Sequence, residues 1–147
     1  LLASLIPCFV GCIGFCIIFN IHGKGGLLCA LGGVLTWLVY CLTARFGGND
    51  LIGYFWGTLF AAAYSETMAR IRKYPAISYL VVSIFPLIPG AGVYYTMNHA
   101  VHGNMEAFAN RGMMTVAIAG VMAVGILLSS TVFRIWSSLH NTKKTSG

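Results

Sequence analysis

The sequence predicts an all-α, polytopic membrane protein of about five transmembrane helices, the fourth of them broken at a proline–glycine motif. Three observations lead there. Of 147 residues, 58% are hydrophobic and only 8% charged, whereas a soluble domain carries about a quarter charged residues to face water. The nine Lys/Arg and three Asp/Glu are gathered between long uncharged runs. The third observation is Pro86-Leu87-Ile88-Pro89-Gly90-Ala91-Gly92, set in the middle of the fourth run.

A helix needs about twenty mostly apolar residues to cross the hydrocarbon core. The first run, residues 1–21, ends at His22-Gly23-Lys24-Gly25-Gly26, and the second, 27–44, at Arg45-Phe46-Gly47-Gly48-Asn49-Asp50. The third, 51–69, stops at Arg70-Ile71-Arg72-Lys73-Tyr74-Pro75; the fourth covers 76–97 and the fifth 112–136. Residues 1–139 thus read as one transmembrane helical domain and 140–147 as a polar cytoplasmic tail. Phe9-Val10-Gly11-Cys12 is similar to a lipoprotein cleavage box, but no basic segment precedes it and the apolar run continues to Ile21. The stretch is therefore read as a retained helix and not a signal peptide. Because the chain opens on Leu1, its true N-terminus is expected upstream.

With five spans the loops alternate sides. Lys24, Arg70, Arg72, Lys73, Arg134, Lys143 and Lys144 fall on one side, and only Arg45 and Arg111, with Asp50 and Glu106, on the other. Cytoplasmic loops favour Lys and Arg, so the N-terminus is expected outside and the C-terminus in the cytoplasm. Trp37, Tyr40, Tyr54, Trp56, Tyr94 and Tyr95 then lie toward the outer interface, and Tyr74 and Trp136 toward the inner one. The net charge of +6 belongs to this loop bias. No basic run exceeds three residues, so nucleic acid is not an expected partner.

Cys8, Cys12 and Cys16 share one helix face at four-residue spacing, which reads as a soft-metal or redox stripe or, preferably, as small residues that let helices approach. Gly53, Gly57, Ala61, Ser65 and Ala69 form a similar stripe in the third run, and Gly112, Gly120 and Gly125 a weaker one in the fifth. Such stripes make grooves for a neighbouring helix, in this chain, in a partner subunit or in a second copy.

Chemistry concentrates at the broken helix. Pro86 and Pro89 lack amide hydrogens and clash with the preceding turn, and Gly90 and Gly92 ease unusual dihedrals beyond. Unsatisfied backbone in lipid is costly, so the break must face protein or water. The half-helix that follows starts near mid-membrane with free amides and a partial positive charge, a setting suited to a carboxylate. A plain proline kink is the alternative. Glu66 lies inside the third run, one turn before Arg70; it reads either as a proton- or substrate-coupling group or as an interfacial ion pair with Arg70. Asn20 closes the first helix and would either bond a solute or cap that helix. His99, His102 and Glu106 would share a face on one helix, but three such residues are a thin basis for a metal site. No metal and no cofactor are expected. With one acid in a helix and two in loops, acid–base catalysis has few candidates, and the chain is not expected to be an enzyme.

Ala69-Arg70 through Tyr74-Pro75-Ala76, Phe85-Pro86-Leu87-Ile88-Pro89-Gly90 and Tyr94, together with Gly14-Phe15, Phe19-Asn20 and the final glycine-bearing helix, resemble the second half of the threonine/serine exporter family. The resemblance implies export of small hydrophilic solutes from the cytoplasm, driven by the membrane potential or a proton gradient, across a bacterial inner membrane. In some members one chain carries both halves; in others a larger membrane subunit supplies the first half and a small one, of this size, the second. It also leaves threonine/serine-type amino acids and succinate-type dicarboxylates open as carboxylate substrates. Carried over, Pro86, Pro89, Gly90 and Tyr94 form the expected substrate motif, with Gly92 and Asn20 beside it on local grounds. Glu66 and Arg70 rest on local physics alone. The competing expectation is a membrane scaffold or assembly subunit with no solute path.

Overall fold

The structure, a computed structural model, describes residues 2–21, 23–73 and 75–145, with side chains described from 5 to 138 except 22, 24 and 74. The expected interfacial Tyr74, and residues 146 and 147 of the tail, lie outside these. The helices are α1 (Leu2–Ile18), α2 (Lys24–Gly47), α3 (Asp50–Arg72), α4 (Ala76–Ile84), α5 (Gly90–Val101) and α6 (Met105–Thr145), with a 3-10 turn, Phe85–Leu87, after α4. Among the described residues there is no strand.

Length and apolar composition let two helical stretches cross a membrane, Gly25–Gly47 and Met105–Ser138; the bent pair Ala76–Leu87 and Gly90–Val101 makes a third if it is one span. The apolar part of α1, Leu5–Ile18, is shorter. The 23-residue α3 is long enough, but its tyrosines, Ser65, Thr67 and Glu66 dilute its apolar character. At about 1.5 Å per residue α6 is ~60 Å long, and it continues as helix through the expected polar tail to Thr145.

Local sequence explains the helix ends. Asn49 caps α3, its side chain accepting from the Leu51 amide at 3.0 Å, with Asp50 in the first turn where the helix dipole favours an acid. At the end of α5, Gly103 takes a left-handed φ of 72°. Its amide donates to Ala100 O at 3.1 Å and that of Asn104 to His99 O at 3.0 Å, the paired bonds of a Schellman turn. The Asn104 side chain then accepts from the Ala107 amide at 3.1 Å and opens α6.

In packing, α2, α3 and α4 form a central group. Helix α1 lies against α2 and α4, α6 against α3, and α5 touches α6 alone among the described elements. One core joins Cys12, Cys16, Cys29, Ala30, Tyr79 and Val82 across α1, α2 and α4; another joins Leu87, Ile118 and Met122. The cysteines are free thiols placed at close helix approaches: Cys16 Sγ is 3.3 Å from Gly26 O, and Cys12 Sγ sits directly against Gly33. The α3 stripe is used inside the chain. A Cβ on Gly53 would meet Ala44 Cβ at 2.8 Å, and one on Gly57 would meet Leu87 Cδ2 at 2.7 Å. Large apolar side chains such as Ile18, Phe46, Met113, Val116 and Leu127 remain exposed, an arrangement for a surface solvated by lipid.

Candidate functional site

The helix through the fourth run stops at Ile84, passes through the 3-10 turn and resumes at Gly90, with a bend of 53°. Neither Pro86 nor Pro89 can donate to a helical carbonyl, so the chain closes tighter rings: Phe85 N–H to Val82 O, Ile88 N–H to Phe85 O at 3.2 Å and Gly90 N–H to Ile88 O at 2.7 Å. The last bond, with Pro89 at φ −76° and ψ 53°, is an inverse γ-turn. The first α-helical bond of α5 runs from Val93 N–H to Pro89 O, so the amides of Ala91 and Gly92 precede the helical ladder.

Two hydrophobic anchors hold the break. Leu87 is 1% exposed and fills the space left by Gly57, and the Phe85 ring packs tilted against Phe15 of α1 with centroids 3.7 Å apart. Beyond the break Gly92 lets α5 approach α6, since a Cβ there would lie 2.7 Å from Thr115 Oγ1. Gly90 and Ala91 are exposed, and Tyr94 is 66% exposed, its ring edge-on to Tyr95. Pro86, Pro89, Gly90 and Gly92 thus belong to one turn whose helix start opens on the outer surface of this chain.

A second polar location lies between α3, α4 and α6. It is a cleft of about 200 Å³ lined by residues including Ala62, Ser65, Glu66, Ala76, Leu80 and Ser130. Glu66 and Arg70 are 3.9 Å apart, beyond hydrogen-bond range. Arg70 is held instead by α6: Nη2 donates to Phe133 O at 3.0 Å, and the guanidinium lies 5.1 Å from the Phe133 ring centroid and 5.6 Å from that of Trp136. The sequence marks Ser65 only as a member of the α3 packing stripe and does not mark Ser130 at all. Only a three-helix junction reveals them, because small hydroxyls in apolar runs read as packing residues.

The remaining candidates are separate from both places. Asn20 sits beyond α1 at φ 56°; its amide donates to Ile17 O at 3.0 Å and that of Ile21 to Cys16 O at 2.9 Å. This is a Schellman end with asparagine at its left-handed position. At this positive φ Asn20→Ala is expected to cost about 1 kcal/mol, and Asn20→Gly to cost less. Efflux by the glycine variant separates the roles: normal export leaves Asn20 a capping residue, and lost export at unchanged stability makes it a solute contact. His99 and Glu106 lie on different helices, with His102 Nδ1 2.8 Å from Asn98 O at the turn between them. The shared face pictured from the sequence does not form, because Gly103 reverses the chain. Among the described residues no group of three His, Cys, Asp or Glu is placed to hold a metal ion.

Comparison with protein families adds the decisive observation: the family described as Threonine/Serine exporter, ThrE, matches residues 4–132. The chain belongs to the threonine/serine exporter family. Comparison with curated proteins found no match, and comparison with solved structures found none. The match covers α1 to α5 and most of α6, so the break and the Glu66 cleft both lie inside the exporter region. Membership makes this a membrane transport protein of an exporter family.

Proposed function

We propose that the chain is the small second-half subunit of a two-component exporter, working with a larger membrane subunit of the same family. In this reading α1, α2, α3, the α4–α5 pair and α6 are five spans of a bacterial inner membrane, N-terminus outside and C-terminus cytoplasmic. The solute is small and carries a carboxylate, of the threonine/serine or the succinate type, and its export is driven by the membrane potential or a proton gradient.

The observation that carries this reading is the break at Phe85–Pro89, with a helix start open on the chain's own surface. Backbone polar groups in hydrocarbon must face protein or water. A second subunit placed over Gly90, Ala91 and Tyr94 would enclose a solute path there, with the α5 amides toward the carboxylate. Glu66 and Arg70 are the coupling candidates, both within two turns of the α3 end at Arg72, the cytoplasmic end in this reading.

The test is efflux of labelled threonine and labelled succinate from cells carrying this chain, the larger subunit, or both. Export of either solute is expected only with both proteins present. Export of neither, with both verified in the membrane, would remove the substrate claim first and leave a different solute or the scaffold reading, in which the prolines merely kink a helix.

A further inference from the structure

The cleft between α3, α4 and α6 combines one carboxylate, two hydroxyls and an apolar wall. Its volume of about 200 Å³ is below the roughly 300–1,000 Å³ of sites for drug-sized ligands, so it is matched to a small solute. The Glu66 side chain is 26% exposed, largely withdrawn from water while still reachable. Its neighbour Arg70 spends its close contacts on α6, on the Phe133 carbonyl and two aromatic rings. At 3.9 Å the guanidinium offsets the charge of Glu66 without occupying its lone pairs. Ser65 donates its hydroxyl proton to Ala61 O at 2.7 Å, which leaves its oxygen as an acceptor.

We propose that this cleft is a binding site for the primary ammonium group of a small solute, with Glu66 as counter-charge and the Ser65 and Ser130 hydroxyls as the other acceptors. An alkylammonium carries three N–H donors, and three acceptor-bearing side chains line the cleft. Ala62, Ala76, Ile77 and Leu80 offer a short aliphatic chain its cover. Ile77 and Pro86 are nine residues apart, about 14 Å along the helix, so one small molecule cannot occupy the cleft and the α5 start together. The cleft is then a station on the cytoplasmic side of the break. Its place on a route rests on the transport reading, but binding does not. If both hold, amines are favoured over dicarboxylates as cargo.

The full chain, purified and reconstituted in lipid nanodiscs, would be melted with ethylamine, tetramethylammonium chloride or sodium chloride at equal ionic strength. Ethylamine at ten times its dissociation constant is expected to raise Tm by about 3–6 °C. Tetramethylammonium, which has no N–H, and sodium are expected to leave it unchanged. Glu66→Gln should weaken ethylamine binding at least tenfold, and Ser130→Ala provides the second variant if the first does not fold. No shift with ethylamine, an equal shift with either control cation, or undiminished binding in the folded variants overturns the site. Labelled-solute efflux reads the other claim separately. An ethylamine shift without export in any subunit pairing supports the cleft and removes the transporter; export by Glu66→Gln with no ethylamine shift in wild type does the reverse.

Discussion

Replacing Pro86, Pro89 and Gly90 together by alanine is expected to abolish efflux, to below about a tenth of the wild-type rate, while the protein still reaches the membrane. Each interior proline disfavours a helix by about 3 kcal/mol relative to alanine. Its removal restores amide donors for Val82 O and Phe85 O, four residues upstream. With those bonds available α4 and α5 can run on as one helix. The 53° bend then has no cause, and α5 can no longer lie along α6 while Leu87 stays in its pocket against Gly57. The helix start that opens at Gly90 disappears with it. Circular dichroism of the purified variant should show equal or slightly higher helix content, and immunoblotting of membranes equal abundance. Export at the wild-type rate under those conditions would mean the break is not the solute site.

Much of this architecture was legible because lipid imposes simple rules. Charges and chain-breaking residues gather at the ends of apolar runs, so Gly48, Asn49 and Asp50 mark the α2–α3 turn and Lys73 and Pro75 the α3–α4 turn. Two prolines remove two amide donors wherever the chain folds, and α4 ends at Ile84 while α5 begins at Gly90. The sequence did not reveal which way each helix faces. The stripe Gly53, Gly57, Ala61 reads equally as an inner seam or a partner face, and only the contacts with Tyr40, Ala44 and Leu87 place it inside. Nor could spacing show that Arg70 turns to Phe133, 63 positions away, when Glu66 is its neighbour at i−4. The His99, His102 and Glu106 reading failed because it assumed one continuous helix across Gly103, whose positive φ ends it.

Alanine at Gly32 and at Gly120 should have opposite effects on stability, although both changes insert one methyl into a helix. Helix propensity favours alanine by roughly 0.5–1 kcal/mol at either position, so the difference isolates packing. At Gly120 a new Cβ meets nothing within 4 Å, and a small gain is expected. At Gly32 it would lie 2.5 Å from Ser83 Oγ, 2.6 Å from Tyr64 Cε1 and 2.9 Å from Tyr64 Cδ1. Ser83 is fully buried and cannot swing into open space. The Tyr64 ring is pinned from the far end, where its hydroxyl donates to Leu28 O at 2.8 Å, one turn from Gly32 on α2. Relief therefore requires either breaking that bond, at about 0.5–1.5 kcal/mol, or separating α2 from α3 and α4. Overpacking of this kind costs about 1–3 kcal/mol, more than the propensity gain returns. Thermal unfolding in one detergent should place Gly32→Ala several degrees below wild type and Gly120→Ala at or above it. Equal melting temperatures would mean that α2 does not approach Ser83 and Tyr64 so closely, and the central three-helix packing would need redrawing around a wider α2–α4 gap.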